Sequence, residues 1–228
     1  MCFSATASFT SAALLITVGT ATSLINPSKS QKMYAAIPIL FGVQQAAEGL
    51  VWLSIGQEYS MTLQRVGVIG FLGFAMVVWP CWVPWSLFRM ETLVLRKRIL
   101  MLMGFIGVCV SAMTAWYLFI STPSAYITGQ CLAYSLKDLT RNVPPNIDFL
   151  LYVTTVPLPF FVSSLRHVNI TGALVLVGLV LSHIINREAS TSIWCFFAAI
   201  ASLNIAWSLL NERRLYEINR ADKAVIHE

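Results

Sequence analysis

Charge is what this chain has least of. Asp, Glu, Lys and Arg make up 11% of its 228 residues, against about a quarter in an ordinary soluble domain, and 57% of the residues are hydrophobic. The deficit runs through the whole length, which excludes a soluble domain on a single anchor and leaves a polytopic membrane protein. The net charge of +5 therefore makes no case for nucleic acid. Most basic residues sit in short gaps between apolar runs, where they set orientation and meet anionic lipid.

Other absences narrow the field. Residues 1–20 contain no Lys or Arg, so the basic stretch that opens a cleavable secretory signal is missing, and the first apolar run reads as a span. The cysteines (Cys2, Cys81, Cys109, Cys131, Cys195) are odd in number, which excludes a fully paired disulfide framework. Residues 192–210 contain no lysine, which removes the Schiff-base partner that retinal requires. No Pro-Gln dipeptide occurs, which argues against the seven-span sugar transporters that carry such pairs in kinked helices. His183 alone lies within a predicted span, too few for the seven-span hydrolases with repeated histidines in their last helices.

What is present is a series of apolar runs, at about 9–25, 34–55, 66–88, 99–121, 149–165, 168–185 and 192–210. A helix needs roughly 20 apolar residues to cross the hydrocarbon core, and lipid leaves an open sheet unsatisfied. The runs predict an all-α, seven-transmembrane-helix bundle over residues 1–210 and a tail over 211–228, a solvated extension of the last helix. Eleven basic residues, including Lys29, Arg89, Arg166 and Arg213, fall on one side of that arrangement. Four, Arg65, Lys137, Arg141 and Arg187, fall on the other. The positive-inside rule then puts the N-terminus outside and the C-terminus in the cytoplasm, in the cell (inner) membrane. Trp52, Trp116 and Trp194 near the outer ends, and Trp82, Trp85 and Trp207 near the inner ends, fit an aromatic belt. Gly67, Gly70 and Gly73, then Gly104, Gly107 and Ser111, let helix backbones approach. Outer loop 122–148 carries Leu132, Leu136 and Leu139 on one helical face, which predicts an interfacial helix or a cap over a pocket.

The polar residues inside the apolar runs are few and grouped. Gln44, Glu48 and Trp52 are four apart, and Gln45 is three before Glu48, so all four share one helix face. A carboxylate in a span costs a few kcal/mol and turns toward the bundle interior with a partner. Two readings follow: interhelical hydrogen-bonded glue, or a pocket in which Glu48 acts as acid, base or ligand. The topology brings Ser4, Tyr134, Ser192 and Trp194 toward the same face. Cys2, Cys131, His183 and Cys195 join them as candidate ligands for copper, zinc or haem iron. Their spacing matches no CxxC or HxxxH signature. Cys131 and Cys195 are equally a candidate disulfide on the oxidising side, and Cys2, after loss of Met1, a candidate N-terminal nucleophile. In WPCWVPW, residues 79–85, Pro80 and Pro84 each delete a helical hydrogen bond and bend the third span. Pro157 and Pro159 do the same in the fifth.

MCFSATASF, GVQQAAEGLVW, VWPCWVPW, TGQCLAYSL, FVSSLRHVNITG and SIWCFFAAIAS occur in that order along the chain. Together they resemble an uncharacterised bacterial family of small polytopic membrane proteins whose members begin Met-Cys-Phe-Ser or Met-Cys-Trp-Ser. The resemblance implies His in most members where this chain has Gln44, and often in place of Gln130 or Cys131. It implies no activity. It does mark the blocks that hold Cys2, Gln44, Gln45, Glu48, Tyr134, Trp194 and Cys195.

The leading expectation is thus a membrane protein with an outer-leaflet polar pocket around Glu48. Gln44, Gln45, Trp52, Tyr134 and Trp194 would line it, for a small-molecule ligand, a metal or a redox cofactor. A proton-coupled small-solute transporter using Glu48 and a non-enzymatic accessory subunit of a membrane complex are the alternatives.

Overall fold

In hydrocarbon the backbone must satisfy its own N–H and C=O groups, and the long apolar runs do so as helices. The computed structural model describes residues 4–25, 27–56, 61–135 and 145–226. Helix α1 (Ala5–Leu24) starts where the Ser4 hydroxyl accepts the Ala7 N–H at 3.2 Å. A short α2 (Lys32–Ala35) leads into α3 (Ile37–Gly56). The next span is α4 (Met61–Gly73), a π-helical turn (Phe74–Val78) and α5 (Trp79–Met90), followed by α6 (Val94–Ile120). Strands β1 (Ser124–Thr128) and β2 (Cys131–Ser135) come next. The chain closes with α7 (Pro145–Thr155), α8 (Leu158–Val162), α9 (Arg166–Ile185) and α10 (Ser190–Ile226).

Among the described residues six helical stretches are long and apolar enough to cross a membrane: Ala5–Leu24, Lys32–Ile55, Met61–Met90, Val94–Ile120, Arg166–Ile185 and Ser190–Arg214. The remaining predicted run, 149–165, is divided between α7 and α8. Pro157 and Pro159 lack the N–H groups that would continue α7. Hydrogen bonds sort the loops into two ends. At one, Arg213 donates to the Ile25 carbonyl, Glu91 holds Ser164, and Glu212 meets His167 and Gln31. At the other, Gln64 reaches the Ala125 carbonyl and Thr128 reaches Glu188.

Proline shapes the α4–α5 span. The Trp79 N–H bonds the Phe74 carbonyl in the five-residue π spacing, so Pro80, with no N–H, leaves the Ala75 carbonyl without its donor. The Tyr152 hydroxyl supplies one at 2.7 Å. Ser111 donates to the Val77 carbonyl at 2.6 Å. Pro84 likewise orphans the Pro80 carbonyl, and α6 passes so close there that a Cβ on Gly107 would overlap that oxygen. The small residues of α6 therefore serve the bend.

Within loop 122–148 the described stretch 124–135 departs from the expected interfacial helix. It forms an antiparallel hairpin pairing Thr128 with Cys131 and Ser124 with Ser135. The two-residue loop opens with Gly129 at φ 63°, a conformation that glycine adopts without strain and that twists with the strands. Leu136 and Leu139, on which the helical reading also relied, lie outside the described residues. Leu132 is fully buried under the hairpin with Val51, Val68, Phe71 and Leu72. The larger core runs from Tyr34 and Leu87 to Trp79 and Trp194. Trp194 is thus no belt residue, whereas Trp116 and Trp207 are 63% and 64% exposed.

Candidate functional site

The face predicted for α3 is built as one. Gln44, Gln45 and Glu48 are all within 1% of complete burial, and Trp52, partly buried, follows one turn on. The Ser192 hydroxyl, two residues into α10, donates to Glu48 Oε1. One turn further, Gln44 Nε2 donates to Cys195 Sγ at 3.2 Å, and Gln44 Oε1 accepts from Trp79 Nε1 at 2.7 Å. Gln44 is therefore fixed between α5 and α10. The π turn just before Trp79 is what aims that indole at it.

Four buried polar atoms of this group have no hydrogen-bond partner among the described residues. The Gln45 amide lies against the Glu48 carboxylate and interacts with it, but neither Gln45 Nε2 nor Glu48 Oε2 completes a hydrogen bond of good geometry among the described residues. Trp52 Nε1 and Ser8 Oγ are buried in the same condition. Antiparallel packing of α1 on α3 sets the level of Ser8. Gly19 lies against Ile39, Gly42 against Ile16 and Gly49 against the Phe9 ring, which puts Ser8 alongside the turn between Glu48 and Trp52. Among the described residues Glu48 has no ion-pair partner.

The hairpin covers this end of the bundle. Cys131 is a buried free thiol, so the disulfide to Cys195 considered from the sequence is not formed. Burial pushes the Cys131 thiol above its ordinary range. Tyr134 stacks on Phe71 at 4.6 Å between ring centroids. Both belong, with Trp52 and Cys195, to the apolar cluster beneath the hairpin.

Two predicted site residues fall elsewhere. His183 is exposed and accepts from Arg187 Nε at 3.2 Å. It sits near the helix end and points away from the bundle axis, so Cys131, His183 and Cys195 do not come together. Cys2 lies outside the described residues. Among the described residues no three His, Cys, Asp or Glu side chains gather to hold a metal ion. Trp194 donates to the Val175 carbonyl at 3.1 Å and packs edge-on to Tyr152. It lines, with Phe41, Trp79, Phe160 and Cys195, an apolar cavity on the far side of Gln44. That cavity holds about 30 Å³, well under the roughly 150 Å³ that admits a benzene ring.

The sequence reading missed Trp79 and Ser8. For Trp79 the available signal was its place directly before Pro80, where the helix must deform. For Ser8 it was the small-residue stripe Ser8, Ala12 and Gly19, all buried, which marks the close face of α1.

Long apolar helices around an interior carboxyl define a polytopic helical membrane protein with a polar group enclosed near one end. The chain belongs to the family described as Family of unknown function (DUF6629), whose model matches residues 1–220. Comparison with curated proteins finds no match, and comparison with solved structures finds none.

Proposed function

We propose that this protein binds a small molecule at Glu48, in the outer half of a seven-crossing bundle in the cell membrane. The observation that carries the reading is the group of four buried polar atoms, Ser8 Oγ, Gln45 Nε2, Glu48 Oε2 and Trp52 Nε1, left without a hydrogen bond of good geometry among the described residues. Each such atom costs about 1–3 kcal/mol when buried unpaired, and a bound molecule that pairs with several of them at once offsets that cost. Glu48 is the recognising group and, should the ligand be transformed, its acid or base. Gln44, held by Trp79 and Cys195, acts as the floor of the site, and Tyr134 and Cys131 belong to its lid.

Two features support seven crossings with the N-terminus outside. The hairpin bonds to the end of the bundle opposite Ser164, so the chain between them has to change sides. Lys29, Arg89, Arg96 and Arg213 hydrogen-bond at the Glu91 end or lie beside those that do, which makes that end cytoplasmic by the positive-inside rule.

The test is to purify wild type and Glu48→Gln in parallel, denature both, and analyse released small molecules and metals by mass spectrometry. Wild type should release one species near stoichiometry. Glu48→Gln, with the same gel-filtration profile and a stability within about 1 kcal/mol, should not. A folded wild type that releases nothing, together with a variant indistinguishable from it, defeats the proposal.

A proton-coupled carrier is the second reading. It is favoured by the break at Pro157 and the π turn before Pro80, which both flank the apolar cavity. Irregular backbone at membrane depth is tolerated where it lines such a space. Proteoliposome flux driven by a pH gradient separates this reading from simple binding.

A further inference from the structure

The chemistry of the unpaired atoms restricts what the Glu48 group can hold. Gln45 Nε2 offers two N–H donors and Trp52 Nε1 one, while Ser8 Oγ both donates and accepts. Glu48 Oε2 is the acceptor, since its other oxygen already takes the Ser192 hydroxyl. The set is therefore mixed, with its donors and its acceptor within two turns of α3. A bare metal ion would pair with Glu48 alone and leave the N–H groups facing a positive charge. An inorganic anion would pair with the N–H groups and meet the carboxylate. A hydrocarbon would pair with none of them.

Resting on the binding reading above, we infer that the ligand is an uncharged, hydroxyl-bearing molecule of the polyol class. Each hydroxyl donates one hydrogen bond and accepts others, so neighbouring hydroxyls complete Glu48 Oε2, Gln45 Nε2, Trp52 Nε1 and Ser8 Oγ together. Trp52 is the partly exposed member, which makes it the edge at which the ligand enters. Gln44, the floor, offers the ligand no hydrogen bond, because both ends of its amide are used by Trp79 and Cys195. The apolar cavity below Gln44 is a separate space, with too little room for a ring.

The hydroxyls can come from a free polyol or from the glycerol headgroup of a lipid. The experiment exchanges the protein into a sugar-free detergent, strips bound lipid, and follows tryptophan fluorescence during five separate titrations. The probes are glycerol, myo-inositol, dioleoyl phosphatidylglycerol, zinc chloride and sodium acetate. A saturable response to a hydroxyl probe, absent in Trp52→Phe and unchanged in His183→Ala, is the expected result. Gln45→Leu should then bind about tenfold more weakly, the factor for one lost hydrogen bond. Saturation by free glycerol or myo-inositol assigns a soluble polyol, and saturation by the lipid alone assigns its headgroup. Saturation by zinc or acetate with none by the hydroxyl probes overturns the ligand class while leaving a site at Glu48. No saturation by any probe in folded wild type also overturns it. If wild type and Glu48→Gln then release nothing on denaturation either, the binding reading fails with it and the Glu48 group is interhelical glue.

Discussion

At Gly107 the α6 backbone meets the Pro80 carbonyl oxygen that Pro84 leaves without a helical donor, and a side chain there has no rotamer by which to avoid a backbone atom. Gly107→Ala should therefore push α5 and α6 apart and cost about 1–3 kcal/mol. Gly73, at the end of α4, has nothing within 4 Å of a built Cβ. Gly73→Ala should gain about 0.5–1 kcal/mol of helix propensity. Thermal unfolding of the two variants in detergent checks the pair, which share a substitution and differ in sign. Equal effects of the same sign would sink the account of the bend. The sequence offered Gly73 and Gly107 as equivalents in two glycine series. What separates them is the partner helix, which residue spacing on one helix does not reveal. The Glu48 face was legible for the opposite reason: Gln44, Gln45, Glu48 and Trp52 lie on a single helix, and 3.6-residue geometry is local. Their partners Trp79, Ser192 and Cys195 are 35 to 151 residues away, and Ser8 shares only a packing level with them.

Between elements, the tightest polar junction is Glu91, in the loop from α5 to α6. Its carboxylate is 2% exposed. It accepts from the Thr92 and Leu93 amides at 2.9 and 3.0 Å, and from the Ser164 amide and hydroxyl at 2.7 and 2.8 Å. One side chain thus holds the turn that leads into α6 and ties it to the turn between α8 and α9. Burial works to raise the Glu91 pKa, but the hydrogen bonds from Leu93, Ser164 and Thr92 outweigh it and hold the carboxyl below its ordinary value of 4.5. A folded-state value below the unfolded one means that the unfolded chain binds the proton first. The junction's contribution is full above about pH 4.5 and is lost as pH falls through the lower folded value. Glu91→Gln should lose about 2 kcal/mol at neutral pH, and its deficit against wild type should shrink as pH is lowered below 4.5. A deficit independent of pH would mean that the charge is not what the junction uses. The presence of the long helices was readable from composition, and a bend at Pro157 from the missing N–H, although the structure breaks the helix there. The hairpin was not, because Leu132, Leu136 and Leu139 mimic a helical face while the strand signal is only Gly129-Gln130 between two five-residue strands.

For the whole molecule, the proposed crossing number turns on one segment. Chain 145–162 is too short and too broken to register as a span by length and composition, although its neighbours bond at opposite ends of the bundle. Hydropathy favours a seventh crossing here because residues 149–165 are apolar, whereas helix continuity opposes it. Continuity is the weaker argument in a bundle interior. The Tyr152 hydroxyl and the Ala75 carbonyl satisfy each other at 2.7 Å, and Asn169 donates to the Phe160 and Ser163 carbonyls that end α8. A broken segment whose polar backbone groups find side-chain partners meets the requirement that lipid imposes. Gln130 and Arg166, both exposed, bracket it. Single cysteines at Gln130 and Arg166, in a background without the native cysteines, should react differently with a membrane-impermeant maleimide. Gln130→Cys should be labelled in intact cells and Arg166→Cys only after permeabilisation. Labelling of both from outside would leave six crossings, place the start of α9 on the hairpin side, and part Ser192 on α10 from Glu48 on α3. The reverse pattern would keep seven and invert the molecule, since the basic residues at the Glu91 end would then face outward against the positive-inside rule.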